Sequence, residues 1–378
     1  MTRRPSSTEL VAFFARLGTT GFGGPIALVG YMETEFVERR RWVTFEEFKD
    51  GLAFSQLAPG PLAAQLAIYL GWLCKGTLGA TVSGMAFVAP SLAMVLLLGA
   101  LYREFGGIGW LQGAFYGIGA AVIGVIARSA IKLTRKTLGA DRLLWSLFVI
   151  TTVVTAWRES EIVWLFVVCG VVSMALKTGV RRASFAIVPP NPLIVAAAGI
   201  ATLPLAATVF LFFASAGLFV FGSGLAIVPF LYDGVVQQRH WLTERQFLDA
   251  VAVALITPGP VVITVAFIGY LVDGVLGGFA AAAGVFAPVF FITLIFAPHF
   301  DRLKSDPRIH AFVEGVTAAA TGAIAGAAFV LGRRAIVDGA TALIGVGSLA
   351  VTMRSRRLPE PIVVVAAGII GVVLMRFR

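Results

Sequence analysis

The chain has 378 residues, of which 58% are hydrophobic and only 13% are charged, and its formal net charge is +10. Soluble proteins carry about 25% charged residues, so this composition excludes a water-soluble protein. It predicts an all-α polytopic membrane protein, and the alternation in ~10-residue segments that marks a transmembrane β-barrel is absent. The basic residues stand in clusters between apolar runs, such as Arg39–Arg41. That pattern is typical of loops that set membrane topology and does not indicate a nucleic-acid partner.

Apolar runs follow one another along the whole chain, and we expect roughly 10–13 membrane segments. The runs cover approximately residues 10–30, 48–73, 77–101, 108–133, 143–157, 162–176, 193–231, 247–272, 275–298, 311–331, 335–352 and 362–375. Run 193–231 is too long for one crossing and could hold two. The N-terminus leads directly into the first run and does not read as a cleavable signal peptide. Cys74 and Cys169 are isolated, so we expect neither a disulfide framework nor a metal cluster.

The sequence repeats itself at an offset of 199 residues, at which Pro59-Gly60-Pro61 recurs as Pro258-Gly259-Pro260. The same offset pairs Phe22-Gly23 with Phe221-Gly222, Trp42 with Trp241, Thr44 with Thr243, Phe48 with Phe247, Asp50 with Asp249 and Phe87 with Phe286. Further along, Gly113 and Gly124 match Gly315 and Gly326 at an offset of 202, which predicts a small insertion. The chain is therefore expected to consist of two homologous transporter repeats, residues 1–188 and 193–378.

The basic clusters indicate how the two repeats are oriented. In the first half they follow the fourth and sixth apolar runs, whereas in the second half the heavier clusters follow the third and fifth. Because Lys and Arg favour the cytoplasmic side, a shift by one loop indicates opposite orientations. The pattern predicts inverted-topology repeats, and the extra length of run 193–231 could provide the odd crossing that inversion requires.

Each half also carries two interruptions within apolar runs. One is the Pro-Gly-Pro triplet, and the other is Gly21-Phe22-Gly23-Gly24-Pro25, matched by Phe221-Gly222-Ser223-Gly224. Proline removes a backbone donor and glycine adds freedom, so a helix breaks at such sites, and in hydrocarbon the freed groups must line a protein site. Inverted repeats with interrupted helices in matching positions are typical of secondary transporters, whose substrate is held between the repeats. The exposed helix N-termini suit an anion.

The candidate substrate-binding residues lie at these interruptions. They are Gly23, Gly24, Ser55, Gln56, Pro59, Gly60, Pro61, Leu62, Gln65, Ser223, Thr257, Pro258, Gly259, Pro260, Val261 and Thr264. Backbone amides after each break, at Leu62, Ala63, Val261 and Val262, are expected to face a cavity. Neutral amides and hydroxyls can bind an oxyanion and still release it, which a ring of lysines would not do. The alternative is that the polar side chains only join helices, and that the glycines only allow close packing.

Three charged residues are candidates for charge compensation or coupling: Arg16, Asp50 and Asp249. An arginine inside an apolar run is costly and usually functional, although Arg16 could also extend its guanidinium to the interface. Asp50 and Asp249 begin the broken runs, where they could cap helices or respond to protons, and capping is the favoured interpretation.

Enzymatic function finds little support in the sequence. The three histidines are scattered, no Walker motif is present, and no cofactor, metal ion or catalytic residue is expected. An intramembrane lipid-acting enzyme is the alternative from another class, and it would need an acid–base pair or a metal set that we do not find.

Three first-half motifs carry a family resemblance: Phe22-Gly23-Gly24-Pro25, then Arg41-Trp42, then the stretch from Phe54 to Pro61. Together they resemble the chromate ion transporter (CHR) family, in its long two-domain form. The resemblance implies a multi-pass carrier of the bacterial inner membrane that exports chromate from the cytoplasm and gives chromate resistance. It implies coupling to the proton-motive force or membrane potential, with alternating access between the repeats. Sulfate or another oxyanion is the alternative substrate. The expected partners are the oxyanion, the bilayer and possible coupling protons, and the chain could form a homodimer.

The second half departs from the first-half motif. It reads Phe-Gly-Ser-Gly in place of Phe-Gly-Gly-Pro, and Ala254-Leu255 replace Ser55-Gln56. We therefore expect more of the substrate recognition in the first half.

Overall fold

The structure is a computed structural model that describes residues 4–22, 24–106, 108–158, 163–178, 203–218, 227–300, 306–354 and 360–376. Within these ranges the chain is helical and forms no β-strand. The first-half helices are α1 (Ser7–Thr20), α2 (Gly24–Glu33) with a π-helical extension (Thr34–Arg39), α3 (Phe45–Leu57), α4 (Leu62–Phe105), α5 (Gly109–Thr137), α6 (Arg142–Arg158) and α7 (Val163–Thr178). The second-half helices are α8 (Leu205–Leu218), α9 (Val228–Tyr232) with a π-helical extension (Asp233–Gln238), α10 (Glu244–Ile256), α11 (Thr264–Phe296) preceded by a 3₁₀ turn (Val261–Ile263) and followed by another (Ala297–His299), α12 (Pro307–Ala335), α13 (Gly339–Arg354) and α14 (Glu360–Arg376).

Within the described ranges, four helical stretches are long and apolar enough to cross a membrane: Leu62–Phe105, Gly109–Arg135, Val261–His299 and Pro307–Ala335. Four shorter apolar helices accompany them, α7, α8, α13 and α14. The prediction of a polytopic helical membrane protein is confirmed. Of the long run 193–231, the structure describes only α8, α9 and the residues flanking them, so most of the predicted joint between the halves lies outside the described residues.

Helices α4 and α11 each contain a sharp reversal. The backbone leaves helical geometry at Lys75-Gly76 and at Asp273-Gly274, and the two glycines have φ of +57° and +60°. A Cβ on Gly71 would overlap the carbonyl of Gly79, so the segments before and after the turn pack backbone against backbone. Each apparent long helix is therefore an antiparallel pair, with a short first segment (62–74 or 264–272) and a longer crossing segment (77–105 or 275–296).

The first-half interruptions lie at the tips of two hairpins that fold back into the protein. Helix α1 packs antiparallel to α2 and its extension, with the Phe14 and Phe36 rings 5.7 Å apart. Helix α3 packs against the first segment of α4, where Phe54 stacks on Tyr69 at 5.4 Å. Both hairpins open toward the same side, which we call the first face and define by Arg4, Trp42 and Lys75. The Pro-Gly-Pro break thus lies at a tip in the middle of the protein.

The second-half hairpins open toward the opposite side. Tyr102, at the far end of the first-half crossing segment from Lys75, donates a hydrogen bond of 2.7 Å to Asp249 near the start of α10. We call this side the second face and define it by Trp241, Glu244 and Arg334. Equivalent hairpins entering from opposite faces make the two halves inverted-topology repeats, as the charge pattern predicted.

The internal offset is 199 residues up to the breaks and 198 residues beyond them. Gly71 aligns with Gly269, Pro90 aligns with Pro288, and α5 and α12 have 29 residues each. The change of offset means that the second half has one residue fewer than the first at this point. The difference lies just after the second break, where the 3₁₀ turn Val261–Ile263 stands in place of α-helix. Because a 3₁₀-helix rises about 2.0 Å per residue against 1.5 Å, three of its residues span as much as four α-helical ones.

This register corrects two pairings expected from the sequence. Phe87 corresponds to Val285, since Gly18 packs on the backbone of Phe87 as Gly217 packs on that of Val285. The offset of 202 is wrong by one helical turn: Gly117 contacts the carbonyl of Ala367 in the same way that Gly315 contacts the carbonyl of Cys169, at an offset of 198. No insertion is present there. Gly113 and Gly117 of α5 are four residues apart, as are Gly322 and Gly326 of α12, so a shift of one turn produced a false match.

The two halves are interlocked. Helix α5 of the first half packs on α13 and α14 of the second, while α12 of the second half packs on α6 and α7 of the first. Small residues allow this close approach, with Gly124 against the carbonyl of Gly345 and Gly322 against that of Phe148. The hairpins contact one another mainly through the crossing segments of α4 and α11. The protein therefore has an interlocked scaffold and a central pair of hairpin units.

Candidate functional site

The interruptions of the two halves meet at the centre of the protein. The Gly259 N–H donates to the carbonyl of Gly21 at 2.9 Å, so the second Pro-Gly-Pro tip contacts the end of α1. The Ser91 hydroxyl, beside Pro90 on the first crossing segment, donates to the carbonyl of Gly18 at 3.1 Å. On the other side, Gly60 lies against Val289, beside Pro288 on the second crossing segment. Each tip thus rests on the crossing segment of the opposite half.

Both tips require glycine. Gly60 has φ of +140° and Gly259 has φ of +99°, a region that side chains other than glycine rarely adopt. A Cβ on Gly259 would also overlap the Ser91 hydroxyl. After each tip a helix begins directly behind proline, at Leu62 and at Val261. The first-turn N–H groups of such a helix have no acceptor within the helix, so two positive helix ends lie at the centre.

Gln65 is a buried polar side chain beside the first tip. It is 0% exposed, and its Nε2 donates to the carbonyl of Pro59 at 3.0 Å. Its Oε1 is buried and has no hydrogen-bond partner in the described part of the chain. An unsatisfied buried polar atom costs about 1–3 kcal/mol, so one polar atom of this amide is left for water or a ligand.

The other predicted residues at the tips are placed as follows. The hydroxyls of Ser55, Thr257 and Thr264 are buried and donate within their own helices, to the carbonyls of Gly51, Val253 and Val261 at 2.8, 2.7 and 2.7 Å. Their protons are therefore used locally. Gln56, the next residue of α3 after Ser55, is exposed.

The second interruption of the first half is described only in part. Gly24 begins α2 with φ of +74°, and nothing lies where its Cβ would be. Gly23 and Ser223 lie outside the described residues.

Arg16 lines two adjoining cavities of about 460 and 450 Å³ that also share Glu35 and Arg39 as walls. One cavity opens at the first face beside Glu9 and Trp42, and the other reaches Gly21, the residue that accepts from Gly259. Together the two cavities extend from the first face to Gly21. A third cavity, of about 830 Å³, lies at the second face around Trp241.

The two carboxylates at the broken runs do not cap their helices. The caps are Thr44, which forms a capping box with Glu47, and Thr243, which forms one with Gln246. The capping interpretation of Asp50 and Asp249 is therefore wrong, because both lie about a turn and a half further along.

The two carboxylates also differ in environment. Asp249 is 3% exposed and accepts the hydrogen bond from Tyr102, whereas Asp50 is half-buried. At an offset of 198 the counterpart of Tyr102 is Phe300, which packs edge-on against Phe54 with the ring centres 5.4 Å apart. Sequence reasoning missed Tyr102, and the signal that could have found it is this substitution of a hydroxylated ring for a plain one at equivalent positions.

Among the described residues, no group of three His, Cys, Asp or Glu side chains stands close enough to hold a metal ion. The chemistry of the site therefore rests on backbone amides, one buried amide side chain, hydroxyls and the arginines of the first cavity. Such groups can bind a small anion and release it unchanged.

Comparison with known proteins identifies the family. The chain matches the chromate transporter family over residues 8–174 and 207–372, once in each half. It is 53% identical over 370 residues to the chromate transport protein of Cupriavidus metallidurans, covering 97% of this chain and 92% of that protein. It is 51% identical over 376 residues to the probable chromate transport protein of Synechococcus elongatus, covering 97% of this chain and 95% of that protein. It is 31% identical over 386 residues to the chromate transport protein of Pseudomonas aeruginosa, covering 97% of this chain and 92% of that protein. No solved structure matches. The motif resemblance is thus confirmed, and the chain belongs to the chromate transporter family.

Proposed function

We propose that this protein is a secondary transporter of the bacterial inner membrane that exports chromate by alternating access around the paired hairpin tips. The observation that carries the proposal is the hydrogen bond between Gly259 and Gly21, through which the second Pro-Gly-Pro tip meets the turn between α1 and α2 and an interruption of one inverted repeat contacts an interruption of the other. Two relatives that are 53% and 31% identical are named chromate transport proteins, which supports chromate as the substrate.

The distribution of basic residues supports an orientation with the first face in the cytoplasm. The described Lys and Arg residues toward the first face are Arg4, Arg39, Arg40, Arg41, Lys49, Lys75, Lys132, Arg135, Arg142, Lys177, Arg308 and Arg354. Those toward the second face are Arg103, Arg158, Arg239, Arg245, Arg333 and Arg334. Because cytoplasmic segments carry the excess of Lys and Arg, the cavity that contains Arg16 would open to the cytoplasm.

The membrane potential favours export of this substrate. Each negative charge that moves out of a cell with a negative interior gains about 2.3 kcal/mol per 100 mV, so a dianion gains about 4.6 kcal/mol. Export can therefore proceed on potential alone, and a coupled proton adds to the driving force without being required.

Asp249 is the carboxylate best placed to carry a coupled proton. It is buried, and the titratable or charged groups that face it are Tyr102 of α4 and Arg245 of its own helix. Two nearby arginines are engaged elsewhere, since Arg128 pairs with Glu360 and Arg334 pairs with Glu244. A buried carboxylate with one hydroxyl partner can be neutral in one conformation and ionised in the other.

Transport by the purified protein in proteoliposomes tests the function. Radiolabelled chromate flux is measured with an imposed potential, with an imposed pH gradient and with both, and unlabelled sulfate serves as the competitor. We expect flux under potential alone, with weak inhibition by sulfate. Absence of chromate flux under every condition would refute the proposal, and equal inhibition by sulfate would make the protein a general oxyanion carrier.

The same assay tests the coupling residue. Asp249→Asn is expected to retain potential-driven flux and to lose the acceleration by a pH gradient, while Asp50→Asn, the matched variant at the equivalent half-buried position, retains both. An unchanged response of Asp249→Asn to the pH gradient would show that the proton, if coupled, travels elsewhere.

A further inference from the structure

We propose that Arg16 forms a capture site for a divalent tetrahedral oxyanion in the cavity of the first face, ahead of the central tips. The site would select the substrate on the side where transport starts, and in that respect it rests on the proposed function. The two adjoining cavities of about 460 and 450 Å³ that meet at Arg16 are large enough for an oxyanion with much of its water shell, since water occupies about 30 Å³ per molecule.

Among the described charges around this cavity, Arg16 is the cation that has no carboxylate partner. Arg40 donates to Glu35 at 2.8 Å and lies 3.7 Å from Glu9, and Arg39 lies 3.7 Å from Glu35. These two arginines thus share two carboxylates. Arg16 forms no ion pair with any residue that the structure describes, and it is exposed to the cavity. A guanidinium that lines a cavity without a carboxylate partner is suited to a dianion, which it can bind through two parallel hydrogen bonds.

Two hydroxyl groups complete the donors on the inner side of the cavity. Tyr31 and Thr34 line the inner cavity with Arg16, and neither makes a side-chain hydrogen bond within the described ranges. Thr20 and Gly21 form its inner end, one helical turn beyond Arg16, and Gly21 holds the second tip through Gly259. An anion bound at Arg16 would therefore lie roughly 8 Å along α1 from the contact between the halves.

Within the described residues, the second half has no guanidinium at the position equivalent to Arg16, although the repeats are equivalent. The residue that corresponds to Arg16 is Ser215, whose hydroxyl donates to the carbonyl of Phe212 at 2.6 Å. Arg239, the counterpart of Arg40, is covered by aromatic rings, with its guanidinium carbon 4.4 Å from the centre of Phe212 and 5.3 Å from that of Trp241. Its charge is stabilised by those rings and lies beside Asp233, so it is not presented to an anion.

This asymmetry distinguishes the two openings, while the membrane potential sets the direction of net transport. Within the described residues, the substrate meets an uncompensated guanidinium at the first face, whereas Ser215 stands at the equivalent position of the second half. A symmetric pair of sites would instead hold the anion equally on both sides.

Equilibrium binding of radiolabelled chromate and of sulfate to the purified full-length protein tests the site directly, and flux into inside-out vesicles tests its place in transport. We expect Arg16→Gln to weaken chromate binding about tenfold or more, because a charge-assisted hydrogen bond to a dianion is lost. Arg16→Lys, which keeps the charge but loses the paired geometry, should recover part of the affinity. Lys49→Gln removes a charge from the same face outside the cavity and should leave binding unchanged.

The outcomes separate this inference from the proposed function. If the wild-type protein binds oxyanion through Arg16 but shows no flux, the capture site stands and the exporter proposal fails. If the wild-type protein transports chromate and Arg16→Gln binds and transports as well as Lys49→Gln, the capture site is refuted. Should Arg16→Gln not fold, as judged by its melting temperature, Tyr31→Phe provides the test, since it removes one exposed hydroxyl and should weaken binding about threefold. Unchanged binding by Tyr31→Phe would then refute the site.

Discussion

At the scale of single residues, the first hairpin tip contains a polar atom that the described part of the fold does not satisfy. Gln65 Oε1 and Ser83 Oγ are both fully buried and both lack a hydrogen-bond partner within the described residues, yet they lie in different places. Gln65 stands at the first tip beside Gly60, whereas Ser83 lies where the two segments of α4 pack, against Gly71. Folding alone would favour an apolar residue at both positions, so a functional role should separate them.

Replacing Gln65 with Leu is therefore expected to affect stability and transport differently. The substitution removes a donor bond to Pro59 worth about 1 kcal/mol and an unsatisfied acceptor that costs about 1–3 kcal/mol. The melting temperature of the purified protein should stay the same or rise, while chromate flux should fall at least tenfold. Ser83→Ala is the matched control, and it should keep both stability and flux. Normal flux in Gln65→Leu would mean that this amide has no contact with the substrate.

At the scale of elements, each hairpin tip is a helix end held against the opposite half. The tip Pro258-Gly259-Pro260 can form only because Gly259 adopts a positive φ, lies against Ser91, and donates its N–H to Gly21. These three requirements act on one residue that carries no side chain. The tip is consequently a place where the fold tolerates very little change.

Gly259→Ala should be strongly destabilising. The methyl group would overlap Ser91 and force a side chain into left-handed backbone geometry, which by itself costs about 1–2 kcal/mol. We expect a lower melting temperature and loss of chromate flux, measured in detergent and in proteoliposomes. Gly30→Ala in α2, where no atom lies within 4 Å of the added methyl, should be neutral or slightly stabilising. Equal behaviour of the two variants would show that the tip is not held as described.

At the scale of the whole molecule, the interlocked halves are joined by charges as well as by small residues. At the first face, Lys177 at the end of α7 contacts Asp141 at 2.5 Å and Glu314 of α12 at 2.6 Å. The Lys177 ammonium, by its hydrogen bond to the carboxylate, lowers the pKa of Asp141 below its usual value, and the N–H groups of Leu144 and Leu143 assist. This cluster links the first half to the second, and Asp141 itself lies between α5 and α6, outside the stretches that can cross a membrane.

The lowered pKa predicts how stability depends on pH. A carboxylate whose pKa is lower in the folded state stabilises it above the unfolded-state value of about 3.9, and the contribution is lost as pH falls through the folded value. Asp141→Asn should lower the melting temperature near pH 7 by about 1–2 °C, because the pair is partly exposed. The difference from wild type should disappear on acidification toward pH 3. A difference that persists at low pH would show that it does not arise from the charge.

The inverted arrangement predicts opposite accessibility for equivalent positions. Glu46 and Arg245 correspond at an offset of 199, and both are exposed near the openings of their hairpins. A single cysteine in place of Glu46 should react with a membrane-impermeant maleimide only in inside-out vesicles, and one in place of Arg245 only in right-side-out vesicles. The native Cys74 and Cys169 are buried and provide the unreactive background. Reaction of both engineered cysteines from the same side would refute inversion.

Much of the fold could be read from the sequence because its signals are local. Composition identified helices in a membrane, the Pro-Gly-Pro triplets located the tips, and the shift of basic loops indicated inversion. The predicted register is wrong where glycines stand one helical turn apart, because Gly113 and Gly117 of α5, and Gly322 and Gly326 of α12, are interchangeable in a sequence comparison. The nearness of Asp50 and Asp249 to helix starts predicts caps, yet the caps are Thr44 and Thr243, which stand at the ends where the first N–H groups need acceptors.

The sequence by itself determined the class of protein, its internal symmetry and the position of its tips, because hydrophobicity, proline and glycine act on the chain where they stand. Only the tertiary structure decided that the interrupted segments fold back as hairpins, that α5 and α12 exchange partners between halves, and that Arg16 faces a cavity leading to Gly21. Those features depend on contacts between residues far apart in the chain. The Pro-Gly-Pro tips are recognisable in the amino-acid sequence, but the residues that each tip contacts belong to the opposite half.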